Sequence, residues 1–402
     1  MKILHTSDWH LGIRLNKTDL SDQARLFIDW LEAYVRDNGI ECILHAGDIF
    51  DTKYPPQDAI DIYHDFLMRM YRQGCRVIAI AGNHDSGRFV ASPRHLVAQL
   101  GVFLSGTVSR ESEDEIFVLK NGQDVAEAVV CAVPFIRQGE LAAFEPGMSR
   151  EELAESIITA IRDKYQRSYT AAIDRYPDLP VIGMGHLTIS GAETSDIENQ
   201  VYIGNIGGLP CSRIDHGFSY IALGHIHRAQ GMSEAGHIRY SGSPVCLSFS
   251  EINDKKSVTV VDISEGRLSW EKTEVPFFRR FIRWKGSPVE LIDRVSSHRK
   301  DGPLKDLAEL IVVEDRQTGI SAGMMNDFLQ RFESDDVMIV KTMFLRPAMQ
   351  DIAEEAPAFL PVDLEPRVLL SDYLGHLNYE ADEKEKLLQT FDQIIIELNE
   401  NQ

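Results

Sequence analysis

Cys42-Ile43-Leu44-His45-Ala46-Gly47-Asp48-Ile49-Phe50-Asp51 is a short apolar run that stops abruptly at a glycine and a carboxylate. A run of that length, bounded by such a stop, reads as a strand buried on both faces, as in α/β sheets. The same pattern recurs on either side. Ile3-Leu4-His5-Thr6 leads into Asp8-Trp9-His10, and Val77-Ile78-Ala79-Ile80-Ala81 leads into Gly82-Asn83-His84-Asp85. Farther along, Val181-Ile182-Gly183-Met184 leads into Gly185-His186, and Tyr220-Ile221-Ala222-Leu223 into Gly224-His225-Ile226-His227. Between the first three lie amphipathic stretches, Gln23 to Arg36 (Leu26, Phe27, Trp30, Leu31, Tyr34) and Asp58 to Tyr71, which predict helices. Alternating strands and helices predict a layered α/β domain. In such sheets, sites form beyond the carboxyl ends of the strands. All five His/Asp/Asn motifs stand at those ends.

Residues of this kind gathered at one place predict a cage for two divalent metals, and two metals point to phosphate-ester chemistry. Two neighbouring ions need a ligand with two oxygens to bridge them, and Asp48 is the central candidate. Asp8 and His10 can face one ion, while Asn83 offers a neutral carbonyl to the other. His186, His225 and His227 complete the shells; His225 and His227 are two apart on an extended segment and point the same way. Nitrogen and oxygen ligands without thiolate suit Mn²⁺, Fe or Zn²⁺ better than Ca²⁺, with Mn²⁺ the first choice. The ions would activate water as the nucleophile. His84, beside a ligand but outside the ligand pattern, is the expected general acid. The Asp51 carboxylate is expected to hold its tautomer. Asp85 has two readings, a support for the ligands or a cap for the following turn. His5, His45, His64, His95, His216, His237, His298 and His376 are read as structural.

The 402 residues imply more than one domain. Residues 1–275 hold all the motifs. Residues 276–346 change pattern to a βαβαβ unit: strands at Phe277 to Lys285, Leu307 to Glu314 and Val337 to Leu345, helices at Pro288 to Ser297 and Ala322 to Phe332. This reads as a small α+β capping domain. A Pro-, Ala- and Glu-rich linker follows at 347–361, then two amphipathic helices within 362–402. Leu369, Leu370, Tyr373, Leu374 and Leu377 mark the first. Leu387, Leu388, Phe391, Ile394, Ile395 and Leu398 form the cleaner stripe of the second, suited either to the chain's own core or to a partner helix.

Five scattered cysteines without a C-x-x-C pair read as reduced residues of a cytoplasmic protein and weigh against a thiolate zinc site. No apolar stretch is long enough to span a bilayer, and the N-terminus does not read as a signal peptide. The net charge of −21 would weigh against a nucleic-acid partner. It is uneven, however: residues 351–402 carry −10 of it, and bound cations would reverse the sign where a phosphate docks. Arg14, Lys17, Arg88 and Arg94 form a basic fringe near the motif loops.

The ordered set D-x-H, G-D-x-x-D, G-N-H-D, G-H, G-H-x-H resembles the calcineurin-like metallophosphoesterase superfamily over residues 1 to about 250. His5 to Gly12, Ala46 to Thr52, Ala81 to Ser86, Tyr220 to Gln230 and Tyr240 to Pro244 are similar, more narrowly, to the nuclease subunits of bacterial DNA-repair complexes. That resemblance implies a metallophosphoesterase β-sandwich flanked by helices. It also implies a Mn²⁺-dependent exonuclease on double-stranded ends and endonuclease on hairpins or single strands. It further implies a homodimer, a cap after the catalytic domain, and C-terminal helices that bind the coiled coil of a partner ATPase, two copies of each chain together. By motif position, Asp8, His10, Asp48 and His227 would hold one metal, and Asp48, Asn83, His186 and His225 the other. Archaeal relatives often carry His where Asp51 stands; Asp here favours the His84-orienting role over direct DNA contact. The alternatives are a two-metal enzyme acting on a small nucleotide or phosphoprotein, and a scaffold that keeps its metals for structure.

Overall fold

The computed structural model describes residues 1–137, 140, 149–194, 208–313, 322–345, 387–388 and 391. Residues 1–344 form one compact unit and 345–402 a second. The linker and the two C-terminal helices expected from the sequence lie outside the described residues, apart from three positions that are helical.

Two mixed six-stranded sheets form the body of the first unit. The first runs in the order Arg267–Glu274, Ser257–Ser264, Lys2–Thr6, Cys42–Ala46, Arg76–Ile80, Val102–Ser105. Its last four strands are parallel and the first two antiparallel additions. The second runs in the order Gln230–Gly231, Ile238–Tyr240, Tyr220–Gly224, Val181–His186, Ala126–Ala132, Ile116–Lys120, with its four middle strands parallel. Side chains alternate across each strand, so every central strand feeds two cores. Ile3, Cys42, Leu44, Ile78 and Ile80 meet Val130, Ile182, Met184, Tyr220 and Ala222 between the sheets. Leu4, Ile43, Val77 and Ala79 face outward against Phe27, Leu31, Ile62 and Phe66 of the helices Ser21–Asn38 and Gln57–Arg72. On the far side, Val129, Cys131, Ile221 and Leu223 pack on Ile157, Ile161 and Tyr165 of the helix Arg150–Arg175. Burial on both faces is why these strands read as unbroken apolar runs rather than as alternating ones.

The sequence-predicted βαβαβ unit is present as Phe281–Gly286, Pro288–Ser297, Asp306–Val313, Ala322–Arg331 and Val337–Leu345, one three-stranded sheet. Its first strand starts at Phe281 rather than Phe277, which is exposed just after Pro276 and lies under the Arg280 guanidinium. Ser287 and Glu290 close a capping box at its first helix. The unit has its own core around Leu291, Ala308, Leu310, Met325 and Val337. A second cluster, Leu20, Phe249, Phe281 and Leu307, joins it to the larger body.

His5 links the two sheets. Its Nε2 donates to the Leu223 carbonyl at 3.1 Å and its Nδ1 accepts from the Tyr220 hydroxyl at 2.9 Å. Burial holds it neutral, with its pKa lowered to about 3. The unfolded chain takes up this proton near pH 6.5 and the folded chain does not. The stability His5 contributes is therefore present above pH 6.5 and lost as pH falls toward 3. Below about pH 6, wild type should lose on the order of 1 kcal/mol per pH unit relative to His5→Gln. Urea unfolding of both proteins between about pH 6 and 4 measures this; parallel curves would show that His5 is charged in the fold.

Candidate metal centre

The first two motif loops are laced together by their backbones. Asp8 N donates to Gly47 O at 3.0 Å, His10 N to Asp48 O at 3.1 Å and Leu11 N to Ile49 O at 2.9 Å. Between Asp8 and His10, Trp9 turns the other way into the helix-side core, edge-on to Phe27 and Phe66. Asp85 ties the third loop to the second. Its fully buried carboxylate accepts from Ile49 N at 3.1 Å, Phe50 N at 2.9 Å and Gly82 N at 2.8 Å. Of its two sequence readings, this is a support beneath the ligands. Burial and the nearby Asp48 charge raise its pKa to about 6.

The glycines of the motifs are there because atoms of neighbouring loops approach the backbone closely. A Cβ on Gly82 would collide with the Asp48 carboxylate, and one on Gly224 with the Ala46 carbonyl oxygen. Among the described residues, seven non-glycine residues have positive φ, and four of them are Asp8, His10, Asp48 and His225. Such backbone is costly for an L-residue and persists only where the surroundings enforce it.

The two sheets bring all seven candidate ligands together. Asp8, His10 and His227 form one group with ligand atoms close enough to share an ion, and Asp48, His186 and His225 form another. Asp48 reaches both sides, with Oδ2 3.5 Å from His10 Nε2 and 3.2 Å from His186 Nε2. Asn83 Oδ1 lies 2.9 Å from His186 Nε2 and 3.1 Å from His225 Nδ1. Asp8 Oδ1 accepts from His225 N at 2.9 Å, which fixes one carboxylate to the other sheet.

Tautomers follow from the outer contacts. His186 Nδ1 faces the Ala46 carbonyl at 2.9 Å, and a carbonyl only accepts, so this nitrogen carries a proton. Its Nε2 then faces two further acceptors, Asn83 Oδ1 and Asp48 Oδ2. A cation at that meeting point, proton or metal, is what the donor set fits. Burial alone would lower the His186 pKa, but Asp48 carries it up to about 9. His10 behaves the same way: burial opposes charge, yet the Asp51 hydrogen bond and the Asp48 and Asp8 carboxylates raise it to about 9. Burial together with the His186 charge lowers His225 to about 3. Asp48, although buried, is held well below the usual carboxylate range by His186 and His10.

Two features differ from the sequence reading. The Asp51 carboxylate does not meet His84; its Oδ1 lies 3.3 Å from His10 Nδ1. His84 Nδ1 instead donates to the Asp51 backbone carbonyl at 2.8 Å. The turn after Asp48 points the carbonyl, not the side chain, toward the third loop. His84 is half-buried at the rim, its ring edge-on to His10 with centroids 4.8 Å apart. It is also close enough to His10 and Asp48 to share an ion with them.

The second difference is Glu251, which no motif flagged. Its Oε1 lies 3.0 Å from His227 Nδ1 and its Oε2 2.6 Å from Lys256 Nζ. Burial pushes this carboxyl up, but Lys256 and His227 hold it well below the usual range. The only sequence signal for it is an acid a few residues beyond Ser241-Gly242-Ser243-Pro244.

The family pattern described as calcineurin-like phosphoesterase matches residues 1–229, more than half of the chain. The chain belongs to the calcineurin-like phosphoesterases. Among its curated relatives, the SbcD component of the nuclease SbcCD from Escherichia coli (strain K12) is 35% identical over 302 residues, 74% of each chain. The SbcD component of the same nuclease from Bacillus subtilis (strain 168) is 31% identical over 293 residues, 71% of this chain and 73% of that one. In this phosphoesterase the layered sandwich, the strand-end motifs and the groups that can bind metal belong to one design. Among the described residues no helix is long and apolar enough to cross a membrane.

Proposed function

We propose that this phosphoesterase is a Mn²⁺-dependent DNA nuclease, the phosphodiester-cleaving member of a complex with an SbcC-type ATPase. The observation that carries the reading is the convergence of Asp8, His10, Asp48, Asn83, His186, His225 and His227 in a chain 35% identical to a nuclease component. Asp8, His10, Asp48 and His227 would hold one ion, and Asp48, Asn83, His186 and His225 the other. The ions, when bound, supply a Lewis acid for the phosphate and an activated water. The residues of the chain do the rest. Asp51 and Glu251 fix His10 and His227 through their Nδ1 atoms, and the Ala46 carbonyl fixes His186. His84, with Nδ1 tied to the Asp51 carbonyl, presents Nε2 at the rim and delivers a proton to the leaving oxygen.

The activity is exonucleolytic on duplex ends and endonucleolytic on hairpins and single strands. The working particle is a homodimer that joins two ATPase chains through the C-terminal helices at 362–402, with 276–346 as the cap. Five free cysteines, three of them buried, suit a reducing cytoplasm.

End-labelled duplex and hairpin DNA, incubated with the chain and an SbcC-type ATPase with and without Mn²⁺, tests this reading. Cleavage only with metal is expected. Turnover of a small phosphodiester without any cut in DNA would instead favour an enzyme of nucleotides or phosphoproteins.

A further inference from the structure

The strand Ala126–Ala132 runs out into Val133-Pro134-Phe135-Ile136-Arg137, a segment the motifs do not include. Val133 and Ile136 are buried in the helix-side core of the second sheet. Phe135 N donates to Ala81 O at 2.8 Å, which pins the segment beside Gly82-Asn83-His84-Asp85. The Phe135 ring stands edge-on to His186, centroids 6.1 Å apart. The Arg137 guanidinium lies 5.7 Å over the Phe135 ring, and its Nη2 donates to the Asp85 carbonyl at 2.7 Å. Arg137 is thus held at two points, against the neighbour of His84 and against the neighbour of His186.

Arginines elsewhere in this acidic chain are commonly neutralised. Arg69 reaches Asp29, Glu32 and Asp65, and Arg228 reaches Glu193 and Asp254. Among the described residues, no carboxylate pairs with the Arg137 guanidinium; Glu140 accepts only from its backbone N, at 3.1 Å. A guanidinium has five N–H donors in a planar fork. Here one is used by Asp85 and the flat face by Phe135, so an edge remains for a planar or tetrahedral anion. Partial exposure leaves that edge reachable.

We infer that Arg137 binds a backbone phosphate next to the one being cleaved, and so selects polynucleotides over small phosphodiesters. The inference rests on the nuclease reading above and deepens it. A positively charged fork preset beside the ligand cluster gains from a second phosphate, which a small diester lacks.

The test compares wild type, Arg137→Gln and Arg137→Lys, each with its metal content measured, on duplex DNA and on bis(p-nitrophenyl) phosphate. The ratio of kcat/KM for DNA to that for the small diester should fall roughly 10- to 100-fold in Arg137→Gln, the size of a charge-assisted hydrogen bond. The loss should lie mainly in KM for DNA, with a shallower salt dependence of DNA binding by about one phosphate contact. Lys, which keeps the charge but not the fork, should recover part of the ratio. An unchanged ratio, whether both activities fall together or neither does, overturns the inference while leaving the nuclease reading intact. A wild type that turns over the small diester but never cuts DNA overturns both.

Discussion

His84→Ala is expected to lower DNA cleavage by roughly 10²- to 10⁴-fold while the protein keeps both metal ions. The loss is that of a general acid. The imidazole is oriented by one short contact, Nδ1 to the Asp51 carbonyl at 2.8 Å, and its other nitrogen is the proton donor of the proposed mechanism. The second contact of this residue, backbone N to Asp48 Oδ1 at 2.9 Å, survives the change to alanine, so the Asp48 carboxylate keeps its place. The competing role is that of a ligand, because His84 lies within reach of an ion shared with His10 and Asp48. Two measurements separate the roles. Metal analysis should find equal occupancy in variant and wild type. The defect should also shrink on a p-nitrophenyl ester, whose leaving group departs without a proton. Loss of one ion together with the side chain would remove His84 from proton transfer and make it a ligand.

Glu251→Ala is expected to weaken metal binding and the fold together. The carboxylate accepts from His227 Nδ1, Lys256 Nζ and Leu247 N, the last at 3.2 Å. Lys256 is only 11% exposed, and its other contacts, the Ser243 hydroxyl and the His227 carbonyl, are neutral. Alanine would leave that ammonium buried without a counter-charge, at a cost of about 3–5 kcal/mol. The outer partner of a ligating histidine is typically worth roughly 10- to 100-fold in metal affinity. Glu251→Gln keeps the shape and should unfold less readily, yet still bind metal more weakly, since its amide no longer favours the Nδ1–H tautomer. Urea unfolding without metal, paired with a Mn²⁺ titration, reads both effects. An unaltered affinity in Glu251→Gln would show that His227 needs no such partner.

The central fold was legible because its strands are buried on both faces. Cys42 to Ala46 and Tyr220 to Leu223 read as apolar runs with a sharp stop, and each stop is where a loop turns toward the site. The unread parts depend on distance along the chain. Glu251 reaches His227 over 24 residues, and His225 reaches Asp8 over 217, pairings that no local spacing encodes. The Asp51 reading assumed that its side chain would serve the nearest unassigned histidine. Which part of a residue faces which partner depends on backbone direction, which residue type and spacing alone do not encode. Arg137 carried no signal at all, since a lone arginine acquires meaning only from what surrounds it.

The centre draws from both sheets, with Asp8, His10, Asp48 and Asn83 on one and His186, His225 and His227 on the other. A nascent chain on the ribosome therefore carries the acidic half long before any of its three partner imidazoles has emerged. Until His227 leaves the tunnel and the sheets close, no metal pair can be assembled. An enzyme that cuts phosphodiesters is in this way harmless while it is being made.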